Sequence, residues 1–234
     1  MTLTRQIPAI GACVLLIGLP TPQGRAQSVD PVVTAPKLFD ASVPRDQQIA
    51  LATAAAPASV SSHATVYVLG PRGYEKARDG TNGFSCLVFR SFVSPSETAV
   101  GPMCFDAEGS RTMLPVYLHS EEMRSSGKSE ADIKADAENG YKDGRFKHPS
   151  KMGLLYMMSE ENRLGPTPDH TTQHFPPHLM FYAPYMTAQD LGFDSAPQLA
   201  YMGLSHAGEA DNLLVVVPRT PAAPAKSPDD SHTH

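Results

Sequence analysis

The sequence predicts an α+β domain: a mainly antiparallel sheet of five or six strands with two to three helices packed on it. Three observations carry this expectation. Short β-branched and aromatic runs recur between turn dipeptides. The helix-forming segments are grouped in the middle of the chain instead of alternating with strands. About 175 residues, 45–219, lie between proline-rich ends, which is enough for one domain with a single core.

Taken in order, RDQQIALATAAAP is alanine-rich and predicts a helix over 46–56, stopped by Pro57. ATVYVLGP supplies a strand near 64–69. In GYEKARDGTNGFSCLVFRSFV, Asp79-Gly80 and Asn82-Gly83 separate two strand-like runs, which predicts a β-hairpin with Cys86 on its second strand. Pro115 suits the first turn of a helix that stops near Gly127. A second helix follows, with Ser129 as its cap, Glu130 and Asp132 in its first turn and Asn139-Gly140 as its stop. Ile133, Ala137 and Tyr141 give it a narrow buried stripe and leave its acids in water. Further strands are expected at 152–159, 178–184, 198–204 and 213–218. In HLMFYAP both alternating faces are apolar, as in a central strand covered on both sides.

The ends speak of compartment. Residues 1–26 have a cation at Arg5, an apolar run from Ile7 to Leu19 and small residues at Gly24 and Ala26, the layout of a signal peptide cleaved after Ala26. Ile10-Gly11-Ala12-Cys13 loosely resembles a lipobox, but the apolar segment before it is short for a leader. Nothing in the mature chain is long and apolar enough to span a bilayer, so a periplasmic or secreted protein is expected. Residues 27–44 read as an extended arm and 220–234 as a disordered tail. Removing the leader leaves Cys86 and Cys104, which an oxidising compartment would join as a disulfide. It also removes Arg5 and Arg25 from the 19 basic residues, leaving 17 against 24 acidic ones, a net charge of -7. Without a basic cluster, a nucleic-acid partner is excluded.

ATVYVLGPRGYEKARDGTNGFSCLVFR, FDAEGSR and PPHLMFYAP resemble segments of a group of uncharacterised exported bacterial proteins, over most of residues 45–218. The resemblance implies a bacterial, exported protein and brings no activity or ligand with it.

Catalytic signatures fail on spacing. Gly203-Leu204-Ser205-His206-Ala207-Gly208 has one residue too many for G-x-S-x-G, and Ser125-Ser126-Gly127-Lys128 matches S-x-x-K only in an expected loop. No phosphate-cradling glycine pattern occurs. Glu121-Glu122 and Glu160-Glu161 are sequence neighbours, so they diverge on a helix and read as solvated surface acids. Met157, Met158, Met180, Met186 and Met202 could ligate copper(I), but most lie in strand-like runs where methionine fills core gaps.

His170, His174 and His178 recur every four residues. Pro176 and Pro177 exclude a helix, and four extended residues span ~13 Å, so the row is not a linear metal motif. If the strands at 178 and 198 were antiparallel neighbours, His178 and His206 would meet at one rim of the sheet. His174 would arrive beside them on a loop, forming a three-ligand zinc or copper site. The alternative is that His178 hydrogen-bonds a backbone carbonyl at the strand edge. The sequence thus favours a binding or interaction module for a small ligand or protein. The runner-up is a metal-dependent enzyme, a hydrolase, with His174, His178 and His206 as ligands.

Overall fold

The structure, a computed structural model, describes residues 39–94, 97–165, 172–194, 198–199 and 202–218. The expected signal peptide, most of the arm and the tail lie outside these residues, as does His170.

Helices α1 (Arg45–Thr53) and α2 (Ala58–Ser61) precede strands β1 (Thr65–Gly70), β2 (Gly73–Arg78), β3 (Ser85–Ser94) and β4 (Glu97–Phe105). Three helices follow, α3 (Ala107–Thr112), α4 (Leu114–Ser125) and α5 (Glu130–Asp143). The chain ends in β5 (Leu154–Met157), β6 (Arg163–Gly165), β7 (Gln173–His174), β8 (His178–Tyr182), β9 (Gln198–Leu199), β10 (Met202–Leu204) and β11 (Leu213–Val216). The class is α+β, and the sheet is larger than expected and mixed. Among the described residues it has eleven strands, in the order β2-β1-β3-β4-β5-β8-β11-β10-β9, with β6 bridging β4 and β7.

The expected hairpin over 73–94 does not form. β2 pairs antiparallel with β1 through the tight turn at Gly70–Gly73, and β3 pairs parallel with β1 on its other side. The Asp79-Gly80 and Asn82-Gly83 turns carry the chain beneath β1 instead, tied there by Thr81 N donating to the His63 carbonyl and Thr65 N to the Phe84 carbonyl. The expected strand over 198–204 is likewise two short strands, β9 and β10, paired antiparallel. Central placement of 178–182 holds: β8 lies between β5 and β11.

Helix α5 begins as its sequence dictates. Ser129 Oγ accepts from Asp132 N while the Asp132 carboxylate accepts from Ser129 N, a reciprocal capping box. It runs past Asn139-Gly140 because Gly140 is a packing position, where a Cβ would collide with the Phe146 ring. The stop is Gly144, at φ 79°, the left-handed conformation glycine adopts without penalty.

Over β1, β3 and β4 the sheet is covered on both faces, whereas Leu179 and Phe181 of β8, expected to be covered, are only half-buried. On one face, α1 packs through Ala52, with Ala55, Ala56 and Ala64 nearby, against Val66, Val88, Cys86 and Cys104. Cys86 and Cys104 stand directly opposite each other on β3 and β4 and are bonded. Gln48 is buried here and pins helix to strand, accepting from Leu69 N and donating to the Leu69 carbonyl. The other face carries Leu87, Met103, Phe105, Leu155, Met157, Met180, Tyr182 and Leu213, met by Met113 and Leu114 of the α3–α4 turn. Of the methionines that the sequence favours as core, Met157 and Met180 are buried there, Met186 and Met202 are half-buried, and Met158 is exposed. No described helix is long and apolar enough to cross a membrane.

Candidate functional site

The second face is not filled. Helix α5 packs chiefly on α4. A cavity of about 720 Å³ lies between this helix pair and strands β3, β4, β5, β8 and β11. That volume is in the range of small-molecule sites. Its floor is apolar: Phe89, Met103, Met157, Met180 and Leu213 from the sheet, facing Val116, Ile133 and Ala137 from the helices.

An ionic network closes part of the lining. Glu121, 1% exposed, accepts from Arg90 and from Arg124 Nη1 at 2.6 Å. Arg124 in turn holds Glu130 with two bonds, at 2.6 and 2.8 Å. The expectation that Glu121 is a solvated acid is overturned. α4 turns that side chain inward, where two guanidiniums offset the desolvation that would otherwise expel a carboxylate.

Elsewhere on the lining lies the β10–β11 loop. His206 Nδ1 is 3.2 Å from Asp211 Oδ1, and Glu209 is held by Lys134 of α5 at 3.2 Å. The loop is fixed by Asn212, which is buried, accepts from His206 N and donates to the carbonyls of Ala183 and Met186. The Asp211 contact, acting against partial burial, raises the pKa of His206. Nearby, Tyr185 sits at φ 62°, a left-handed conformation rare for an aromatic residue, and its ring also lines the cavity. Burial, and then the Asp211 carboxylate, push the Tyr117 and Tyr141 phenols above their ordinary value, so both stay protonated.

His178 opens β8 opposite Met157, and it is 6% exposed. Its Nδ1 lies 2.9 Å from the Pro176 carbonyl oxygen, and burial lowers its pKa.

The three expected metal ligands are not brought together. β8 and β10 are not neighbours, because β11 lies between them and pairs antiparallel with both. His178 therefore stands beyond the Val216 end of β11, while His206 stands beside Asn212 at the other end. Five residues of extended chain separate the two levels by ~16 Å, far more than two ~2 Å metal bonds span. His174 is exposed on β7, with Nδ1 3.0 Å from the Glu160 carbonyl, and does not line the cavity. The backbone carbonyl expected as the alternative partner of His178 is found, on Pro176.

Instead, one ligand atom each from His206, Glu209 and Asp211 lie within 4.8 Å of one another. A search for histidine rows passes over this set. The legible signal is SHAGEAD, a His, a Glu and an Asp within six residues of a turn. Tyr117 and Tyr141 were legible only as helix-face residues, since their role depends on the gap above the sheet.

No protein family, curated protein sequence or solved structure matches this chain.

Proposed function

We propose that the chain is an exported binding protein whose cavity takes a small, largely apolar molecule. The observation that supports this reading is the cavity itself: about 720 Å³ between sheet and helices, floored by methionine and aromatic side chains. Export is supported by the leader-like residues 1–26 and by the Cys86–Cys104 bond, which persists in oxidising compartments. Titrating the uncharged fluorophore N-phenyl-1-naphthylamine tests the binding reading. Saturable binding is expected, abolished in Ala137→Trp, which puts an indole into the cavity. Non-saturable fluorescence, or equal binding in the variant, would refute it.

A second reading, a metal-dependent hydrolase, is favoured by the mutual proximity of His206, Glu209 and Asp211. A nitrogen and two carboxylates suit zinc better than copper(I). Such an ion would have to displace Lys134 from Glu209. Zinc calorimetry with His232 and His234 replaced by alanine, to silence the tail, distinguishes the readings. Binding lost in His206→Ala supports a metal centre, and unchanged binding removes it.

A further inference from the structure

The lining contains a buried imidazole, that of His178, whose second nitrogen no described residue hydrogen-bonds. The Pro176 carbonyl has no proton to give, so the bond to His178 fixes the hydrogen on Nδ1. Burial keeps the ring neutral by lowering its pKa. Nε2 is therefore a bare acceptor: the bond at Nδ1 is the ring's one hydrogen bond among the described residues, and Nε2 is not one of the fully enclosed unpartnered atoms. Its sheet neighbours are Met157, directly opposite, and Met180, two residues along, and thioethers do not donate. An acceptor that no described residue pairs, on a residue lining a cavity of this size, is available to whatever occupies the cavity.

The remaining polar groups narrow the ligand's charge. Arg90, Glu121, Arg124 and Glu130 are joined in one network, Lys134 is bound to Glu209, Lys142 lies 3.9 Å from Glu138, and His206 is paired with Asp211. These lining groups satisfy one another's charge. Tyr141 Oη, a fully enclosed polar atom of a lining residue with no partner among the described residues, is a neutral phenol.

We propose that the ligand is an uncharged, mainly apolar molecule carrying a hydroxyl group, and that the hydroxyl donates its proton to His178 Nε2. This rests on the cavity-binding reading and goes beyond it by naming the ligand's chemical class and the residue that selects it. An apolar molecule without the hydroxyl would fill the same space but leave Nε2 unpaired. An anion would have no uncompensated cation to meet, and would bring its own charge into a low-dielectric site.

Four pyrenes sharing one fluorescent ring system test it on the full chain at neutral pH: pyrene, 1-hydroxypyrene, 1-methoxypyrene and pyrene-1-carboxylate. Hydroxypyrene should bind about tenfold more tightly than methoxypyrene, which keeps the oxygen but cannot donate, in line with one neutral hydrogen bond. The carboxylate should bind more weakly than pyrene. In His178→Phe the preference for hydroxyl over methoxy should fall to about twofold or less while pyrene still binds, and His178→Gln, which restores an acceptor, should recover part of it. Equal affinity for hydroxypyrene and methoxypyrene, or tightest binding of the carboxylate, would overturn the proposal yet leave the cavity a binding site. Failure of all four to bind would overturn both. The comparison in the unmodified protein decides the matter even where a variant does not fold.

Discussion

The two faces of the sheet are built from different side chains, and only one of them leaves room. On the α1 face, Ala52 and its alanine neighbours let helix and strands approach until fully buried side chains such as Val66, Cys86 and Cys104 are in contact. A covalent bond then joins the neighbouring strands β3 and β4. The opposite face carries long, adaptable side chains, Met103, Met157 and Met180 among them, and its outer helix rests on another helix. Small residues close a gap because backbones can approach, whereas a helix riding on a helix leaves one. The α1 face thus has the build of a support and the cavity face that of a site.

The largest break in this comparison is the disulfide. Cys86→Ser, or reduction of the native protein, should lower stability by about 2 to 5 kcal/mol, as for other small disulfide-bonded domains. On the cavity face, Met103→Leu should cost less than about 1.5 kcal/mol, because the swap conserves volume. Denaturant unfolding of the two variants compares the faces directly. Equal losses would mean that the disulfide-bonded face is not the support.

Overpacking sharpens the contrast at a smaller scale. Ala52 is fully buried, so Ala52→Leu must displace its neighbours, at about 1 to 3 kcal/mol. Val116 borders the cavity, so Val116→Leu extends into open space and should change stability by less than about 0.5 kcal/mol. If both variants unfold at the same denaturant concentration, the gap is not open in solution.

The sequence revealed these faces unevenly, for physical reasons. Local signals were reliable: the Ser129 capping box, Pro115 in the first turn of α4 and the two-sided apolarity of residues 178–182 depend on neighbours a few residues away. Pairing is non-local. Nothing in GYEKARDG says that β2 will take the outer edge of β1, and a one-strand error there alters which residues meet. The same kind of error placed His178 beside His206, because β11 follows both in sequence yet inserts between their strands. Glu121 was misread for a related reason. A carboxylate's burial is decided by cations brought to it by the fold, Arg90 from 31 residues away and Arg124 from the next turn of its own helix. The cavity had no signature at all, since it is the space left between the helix pair and the sheet.

The smallest effect separates the cavity's own two histidines and should be readable as a difference in sign. Among the described residues His178 is the one buried histidine, and both it and His206 line the cavity, so histidine-linked pH dependence of stability is expected from that face. His178 has its pKa lowered from 6.5 by burial. Its folded state binds fewer protons than its unfolded state in the window below 6.5, so its contribution is complete above that pH and is lost as pH falls through the folded value. His206 is shifted the other way, raised from 6.5 by Asp211. Its contribution is complete below 6.5 and is lost as pH rises through the folded value. The stability difference between native protein and His178→Phe should therefore shrink on acidification. That between native protein and His206→Ala should shrink on alkalinisation, and by less, because this half-exposed side chain is screened by solvent. Denaturant midpoints of the three proteins on either side of neutrality measure both slopes. Slopes of the same sign would show that His178 is not held neutral at the cavity wall, and with that the bare acceptor at Nε2 would disappear.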